Sequence, residues 1–248
     1  MNTTKHALAV TLLALCTATA VADITAVGAS RSVGASRFLS LSGVPFQSQF
    51  DRHDQWPTFG DMNASARTQG GAMTTVQEST ATQSSALMKG NKLVVMNSAL
   101  TIRPGQWYPG MAGQGRAGAF SDFSVSMAVN EEVDALLGAS VWSAVTPFVT
   151  LNADLTVRRD GEPMFNYNVA PTGGEYADST AWLFRLTPGL WEFTAIVNGT
   201  GMAGASTGVD RAGDLRFNLE VTAALVPGVG GATVLAAMGL VTALRRRR

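Results

Sequence analysis

Cysteine occurs once in the 248 residues, at Cys16, inside a segment that reads as a removable leader. A mature chain without cysteine has no disulfide framework, no thiol nucleophile and no Cys-zinc site, so its core alone must hold it together. Lysine is almost as scarce: after Lys5 only Lys89 and Lys92 remain. Setting aside Lys5 and the four arginines at the end, 13 basic residues face 18 acidic ones, a formal charge of −5. Phosphate backbones demand a surplus of Lys and Arg on one face. Nucleic acid is not expected as a partner.

Histidine is missing from the body except for His53, in "QFDRHDQWP". One histidine without a second His or a Cys nearby is a poor ligand set, and His53 reads as a polar loop residue. Asp51, Asp54 and Asp61 offer oxygens for Ca²⁺, but their spacing does not follow the EF-hand loop. Glu131 and Glu132 are adjacent, so on a strand they would point to opposite faces. They read as a solvated turn, not as the paired carboxylates of a glycosidase. No catalytic residue and no metal site is assigned, and no cofactor is expected.

What the chain does have stands at its two ends. "MNTTKHALAVTLLALCTATAVADITA" places Lys5 before an apolar run from Ala7 to Leu15, followed by small residues. Ala20 and Ala22 fit an A-x-A cleavage site before Asp23, with cleavage after Ala20 as the alternative. Residues 1–22 are thus expected to be a signal peptide, whose apolar part is too short to span a bilayer. At the other end, Gly228 to Leu244 form 17 residues without a charge, followed by Arg245, Arg246, Arg247 and Arg248. As a helix that run would span about 25 Å, against a hydrocarbon core of about 30 Å. The arginines would stay at the cytoplasmic interface and leave the body outside.

Val226-Pro227, then "GGATVLAAMGLVTAL", then Arg245 to Arg248 resemble the PEP-CTERM sorting signal of bacterial envelope proteins. Gly228 and Val229 stand where that family usually has Glu and a second Pro, and Gly230-Gly231 is similar to the GlyGly-CTERM signal. The resemblance covers about the last two dozen residues (225–248). It implies sorting to the cell envelope, membrane contact through a C-terminal helix, and an exosortase-type processing protease as a partner. It also implies a role in the surface layer or the exopolysaccharide matrix.

Between the ends, residues 23–224 are rich in Gly, Ala, Ser, Thr and Val. Period-two alternation predicts strands at "KLVVMNSALTI", "FSVSMAV", "FVTLNADLTV", "AWLFRL", "LWEFTAIV" and "LRFNLEV". "NEEVDALLGASVW" reads as a further strand over a short helix. "RRDGEP" is a hairpin signal, "TPGL" a type II turn, and "NGTG" a separator between two strands. Residues 26–83 either hold further strands or form a partly ordered lead-in. The expected fold is an all-β antiparallel sandwich, jelly-roll or Ig-like.

Trp56, Trp107 and Tyr108 lie in Pro/Gly-bounded stretches, "DQWPTFG" and "PGQWYPGM". They either plug the ends of the sandwich or stack against sugar rings. Trp142, Trp182 and Trp191 fall in strands and are assigned to the core. The chain therefore reads as a non-enzymatic exported protein of the envelope or extracellular matrix. The alternatives are a carbohydrate-binding surface module, with polysaccharide as partner, and a secreted glycan hydrolase.

Overall fold

Apolar and polar residues alternate along nearly every described segment, and each segment is a strand. The computed structural model describes residues 24–55, 62–70, 77–89, 91–105, 113–204 and 211–223. The leader with Ala20 and Ala22, the tail with Val226, Pro227 and Arg245 to Arg248, and Trp56, Asp61, Trp107 and Tyr108 lie outside them. Among the described residues no helix is long and apolar enough to cross a membrane.

The strands are β1 (Ile24–Leu41), β2 (Val44–Gln55), β3 (Met62–Gly70), β4 (Gln77–Lys89), β5 (Lys92–Arg103) and β6 (Gly113–Val129). They continue with β7 (Val133–Val145), β8 (Val149–Arg159), β9 (Glu162–Val169), β10 (Gly174–Leu186), β11 (Gly189–Gly204) and β12 (Gly213–Ala223). Six form one sheet in the order β2-β1-β6-β11-β8-β9, and six form another in the order β3-β4-β5-β12-β7-β10. Every pairing is antiparallel. The sheets stack face to face, with β1 against β4, β6 against β5 and β8 against β7. The chain is thus a β-sandwich, as expected, and residues 26–83 contribute strands to both sheets.

The last eight strands pair in a nested series: β5 with β12, β6 with β11, β7 with β10 and β8 with β9. The innermost pair closes at Asp160-Gly161, where φ is 50° and 86°. Two positive φ values define the type I′ turn that the Asp-Gly pair predicts. Asp160 also ties this turn to the neighbouring strand: its Oδ1 accepts the Leu190 N–H at 2.9 Å. "TPGL" behaves differently from expectation. It carries the chain from β10 in one sheet to β11 in the other, and Gly189 has φ of 146° instead of the roughly +80° of a type II turn.

Alternation decides what is inside. Phe123, Val125, Met127 and Val129 of β6 are buried, as are Val149 to Val157 at odd positions in β8. Trp191, Phe193, Ala195 and Val197 of β11 meet Leu215, Phe217, Leu219 and Val221 of β12 in the same core. Under β1, β3 and β4 the filling changes to small and polar groups. There Gln83 Nε2 donates to Ser121 Oγ at 2.9 Å and to the Asp122 carbonyl at 3.0 Å, and Thr68 and Ser79 hydroxyls pair at 2.8 Å.

"NGTG" is not a separator; Asn198 to Gly201 continue β11. Its glycines are explained by packing. A Cβ on Gly199 would lie 2.5 Å from both Ile102 Cδ1 of the facing sheet and Leu151 Cδ2 of the neighbouring strand, so a larger residue here must push both side chains aside. Gly199→Val should destabilise the fold by about 1–3 kcal/mol through overpacking, read as a lowered midpoint in urea unfolding. A midpoint within error of the parent would contradict this packing account.

Candidate functional site

The core side of β7 takes Val133, Ala135, Leu137, Ala139 and Val141, so the positions between them turn outward. Trp142 is one of these. It is 36 % exposed, which corrects its assignment to the core. Of the other two strand tryptophans, Trp191 is buried. Trp182 is half-buried at the sandwich edge, stacked between Phe165 at 4.8 Å and Phe184 at 4.4 Å.

Cross-strand register aligns the outward residues of this sheet in rows. One row reads Ser179 (β10), Ser140 (β7), Asn218 (β12), Asn97 (β5) and Ser84 (β4). At about 4.8 Å per strand it runs roughly 19 Å across the face. Every member is short, polar and uncharged. Asn218 Nδ2 donates to Ser140 Oγ at 3.2 Å and Asn97 Nδ2 to Ser84 Oγ at 3.4 Å, which orients both amides. The next row pairs Trp142 with Arg216, whose guanidinium carbon lies 5.3 Å from the ring centroid in a cation–π contact.

On the other side of the polar row, Gly138 faces Glu220. Nothing lies within 4 Å of where a Gly138 Cβ would be. The missing side chain opens a groove of about 320 Å³, lined by Asn97, Ser140, Ser179, Asn218 and Glu220. Around it Lys92 holds Glu220 at 2.8 Å and Arg185 holds Asp134 at 2.9 Å, while Arg216 lies against the Trp142 ring. The Lys92 contact, then Thr222, holds the Glu220 carboxyl below its ordinary value. The face therefore offers hydroxyl and amide donors and acceptors beside one flat ring and the Arg216 guanidinium. That chemistry suits a neutral polyhydroxyl ligand.

The opposite sheet carries Asp54, Asp122 and Asp154 in one row of its outer face. Burial pushes the Asp122 carboxyl up, Arg52 opposes this and Asp54 adds to it. Asp54 is bound by Arg52 at 2.7 Å, and Asp154 accepts from Asn168 at 3.0 Å.

Polar outward residues are what any half-buried antiparallel sheet shows. The groove, the neutral row and the exposed tryptophan set the first face apart.

Of the residues singled out in the sequence, those among the described residues do not converge. Gln55, which precedes Trp56, ends β2 beside Arg31, level with the middle of β1, whereas Gly105 follows the end of β5. His53 lies on a strand instead of a loop, exposed, 3.4 Å from Asp51 Oδ1. Asp51 accepts the Arg67 N–H at 2.8 Å, so it and Asp54 have partners other than a metal. Among the described residues no three His, Cys, Asp or Glu side chains converge on a metal position. Glu131 and Glu132 sit exposed between β6 and β7, as expected of a solvated turn. Gly204 to Gly208 has G-x-S-x-G spacing, but Ser206 lies outside the described residues, and the next described element is strand β12 where a nucleophile elbow requires a helix.

At the β9–β10 edge, the Tyr167 hydroxyl donates to Asp178 Oδ2 at 3.0 Å. Burial first, then this hydrogen bond and the Asp178 charge, raise the Tyr167 pKa above its ordinary value of 10.0. A raised value means that the folded state favours the neutral phenol. The resulting stabilisation is whole below pH 10.0 and is lost as pH climbs from there towards the folded value. Thermal melts above pH 10 should therefore fall more steeply for the parent than for Tyr167→Phe; parallel curves would contradict the assignment.

No family model and no curated protein matches the chain. Among solved structures, it is similar to the enzymatically active domain of bacteriophage CBA120 tailspike protein 4. That match has 15 % identity over 64 % of this chain and 19 % of the other, with a TM-score of 0.25. A CBM4 structure matches at 12 % identity over 56 % of this chain and 78 % of the other, with a TM-score of 0.23. The structure of infectious bursal disease virus Gt strain matches at 13 % identity over 80 % and 57 %, with a TM-score of 0.23. The chain spans about a fifth of the tailspike chain it matches. At such values none of these likenesses bears on what the chain does.

Proposed function

We propose that this is an exported, non-enzymatic surface protein that holds neutral polysaccharide on the outer face of the β10-β7-β12-β5 strands. One observation carries the reading: the groove above Gly138, with its row of Ser and Asn and the exposed Trp142 beside it. Short side chains lose little rotamer freedom on binding, and a flat ring covers apolar sugar surface at low entropic cost. The nested pairing of β5 to β12 supports a jelly-roll body, since two Greek keys closed as four paired strands give that order.

Export and sorting rest on the two chain ends. The body is compatible with an anchor: Ile24 pairs with Val129 and Ala223 with Ala135, so both ends leave it beside the β6–β7 connection. A tail held in the bilayer by Arg245 to Arg248 would stand the sandwich on that end, with both outer faces free. Exosortase-type processing would then release or reanchor it in the exopolysaccharide matrix.

The test is a glycan array probed with the full-length chain, alongside incubation with the same polysaccharides and assay of reducing ends. Binding to neutral glycans without release of sugar is expected. No binding by a folded protein removes the reading, and release of reducing ends replaces it with a hydrolase. Mass spectrometry of the protein from its host envelope should find Asp23 as the first residue; a retained Met1 would contradict export through the leader.

A further inference from the structure

Of the four sheet edges in the described residues, three carry features that block pairing with another strand. β2 has the charged run Asp51, Arg52, His53 and Asp54; β3 has nine residues, including Arg67; β9 has eight, with Pro163 and a register shift opposite Val157 and Arg158. Short length, charge, proline and bulges are the devices by which edges are kept from adding strands. β10 is neither short, bulged nor interrupted by proline, and of its three charges Glu175 and Arg185 lie near its ends while Asp178 is held by Tyr167. It runs 13 residues, pairs with β7 without a register shift from Gly174 to Leu186, and contains no proline or lysine. Its outward Leu183 is 71 % exposed, the highest value among the large apolar side chains described.

We propose that β10 is the docking edge for a second copy of this chain, paired antiparallel about a two-fold axis at Thr180. The pairing is isologous, so each residue meets one of the same parity and outer face continues into outer face. This register places Glu175 opposite Arg185 of the second copy, twice per dimer. Arg185 already projects on that face, held by Asp134 at 2.9 Å and Glu132 at 3.6 Å, and its five N–H groups leave donors for a further carboxylate. The same register sets Leu183 opposite Ala177 of the second copy, next to its Trp142, while Leu136 flanks Leu183 from within its own chain. The exposed leucine is thereby covered from both sides. Asp178, the one charge near the middle of β10, turns to the inner face, where Tyr167 binds it. The inference does not depend on the glycan reading, because edge pairing uses backbone groups in the plane of the sheet.

Sedimentation of the full-length chain in detergent should give a monomer–dimer equilibrium. Leu183→Lys and Glu175→Arg alter exposed side chains and should leave thermal melts unchanged at concentrations where the parent is monomeric. Each should weaken the dimer about tenfold or more, since cross-strand pairs count twice across the axis. Thr180→Cys should form a disulfide-linked dimer in air-equilibrated buffer, dissolved dioxygen taking the two electrons and two protons of the thiol pair, because directly opposed Cα atoms in an antiparallel pair lie about 4.5–5.5 Å apart. Thr150→Cys, on an exposed part of the other sheet, serves as the control. A chain that sediments only as a monomer overturns the proposal. So does a dimer unaffected by both edge substitutions, or a Thr180→Cys chain that cross-links no more than the control.

Discussion

Trp191→Ala should lower the stability of the body by about 3–5 kcal/mol, the range for removing a buried aromatic side chain. Trp191 is 1 % exposed and sits on β11 between Met127 of β6 and Arg159 of β8. Its indole N–H donates to the Thr187 carbonyl at 2.9 Å, and its ring lies 5.6 Å from that of Phe184. Alanine leaves a cavity at the end of the ring series Phe165, Trp182, Phe184 and also removes the donor to Thr187. Against a total of about 5–15 kcal/mol, a loss of this size takes much of the margin. Trp182→Ala, at a half-buried position, should cost clearly less. Urea unfolding of the two variants measures the difference; equal shifts would mean that the sandwich edge and centre are packed alike, against this description of the core.

Gly138→Leu should abolish glycan binding while leaving the fold intact. Since no atom lies within 4 Å of a Cβ at this position, the leucine has nothing to displace except the ligand. Its side chain would fill the groove between Asn218 and Ser179. Trp142→Ala acts differently, removing the flat ring but leaving the groove open. Its expected cost is about 1.5–2 kcal/mol, or roughly ten- to thirtyfold in Kd. Isothermal titration with whichever neutral oligosaccharide the array selects separates the two. Unchanged affinity in both variants would place the ligand elsewhere.

The two faces of each strand were legible in the sequence because alternation is local. Phe123 to Val129 and Leu215 to Val221 point inward as the pattern of two predicts. Trp142 was assignable by the same rule, since Val133, Ala135, Leu137, Ala139 and Val141 claim the inner face; treating an aromatic in a strand as core overrode it. The site itself was not legible. Ser179, Ser140, Asn218, Asn97 and Ser84 come from five strands, and only the cross-strand register makes them one row. The glycines misled for a related reason. Gly199 and Gly201 look like turn residues, but what they serve is the approach of Ile102 and Pro104 from the facing sheet. Gly138 gave no signal at all, because its role is the space it leaves.

The most direct measurement is residue-resolved NMR of the protein titrated with the selected oligosaccharide. The Trp142 indole and the side-chain amides of Asn97 and Asn218 should shift together along one saturation curve, while Asn152 and Asn198 on the opposite face stay unmoved. Shifts confined to that opposite face or to the connections at the sandwich ends, with Trp142 and Asn218 silent, would contradict the account.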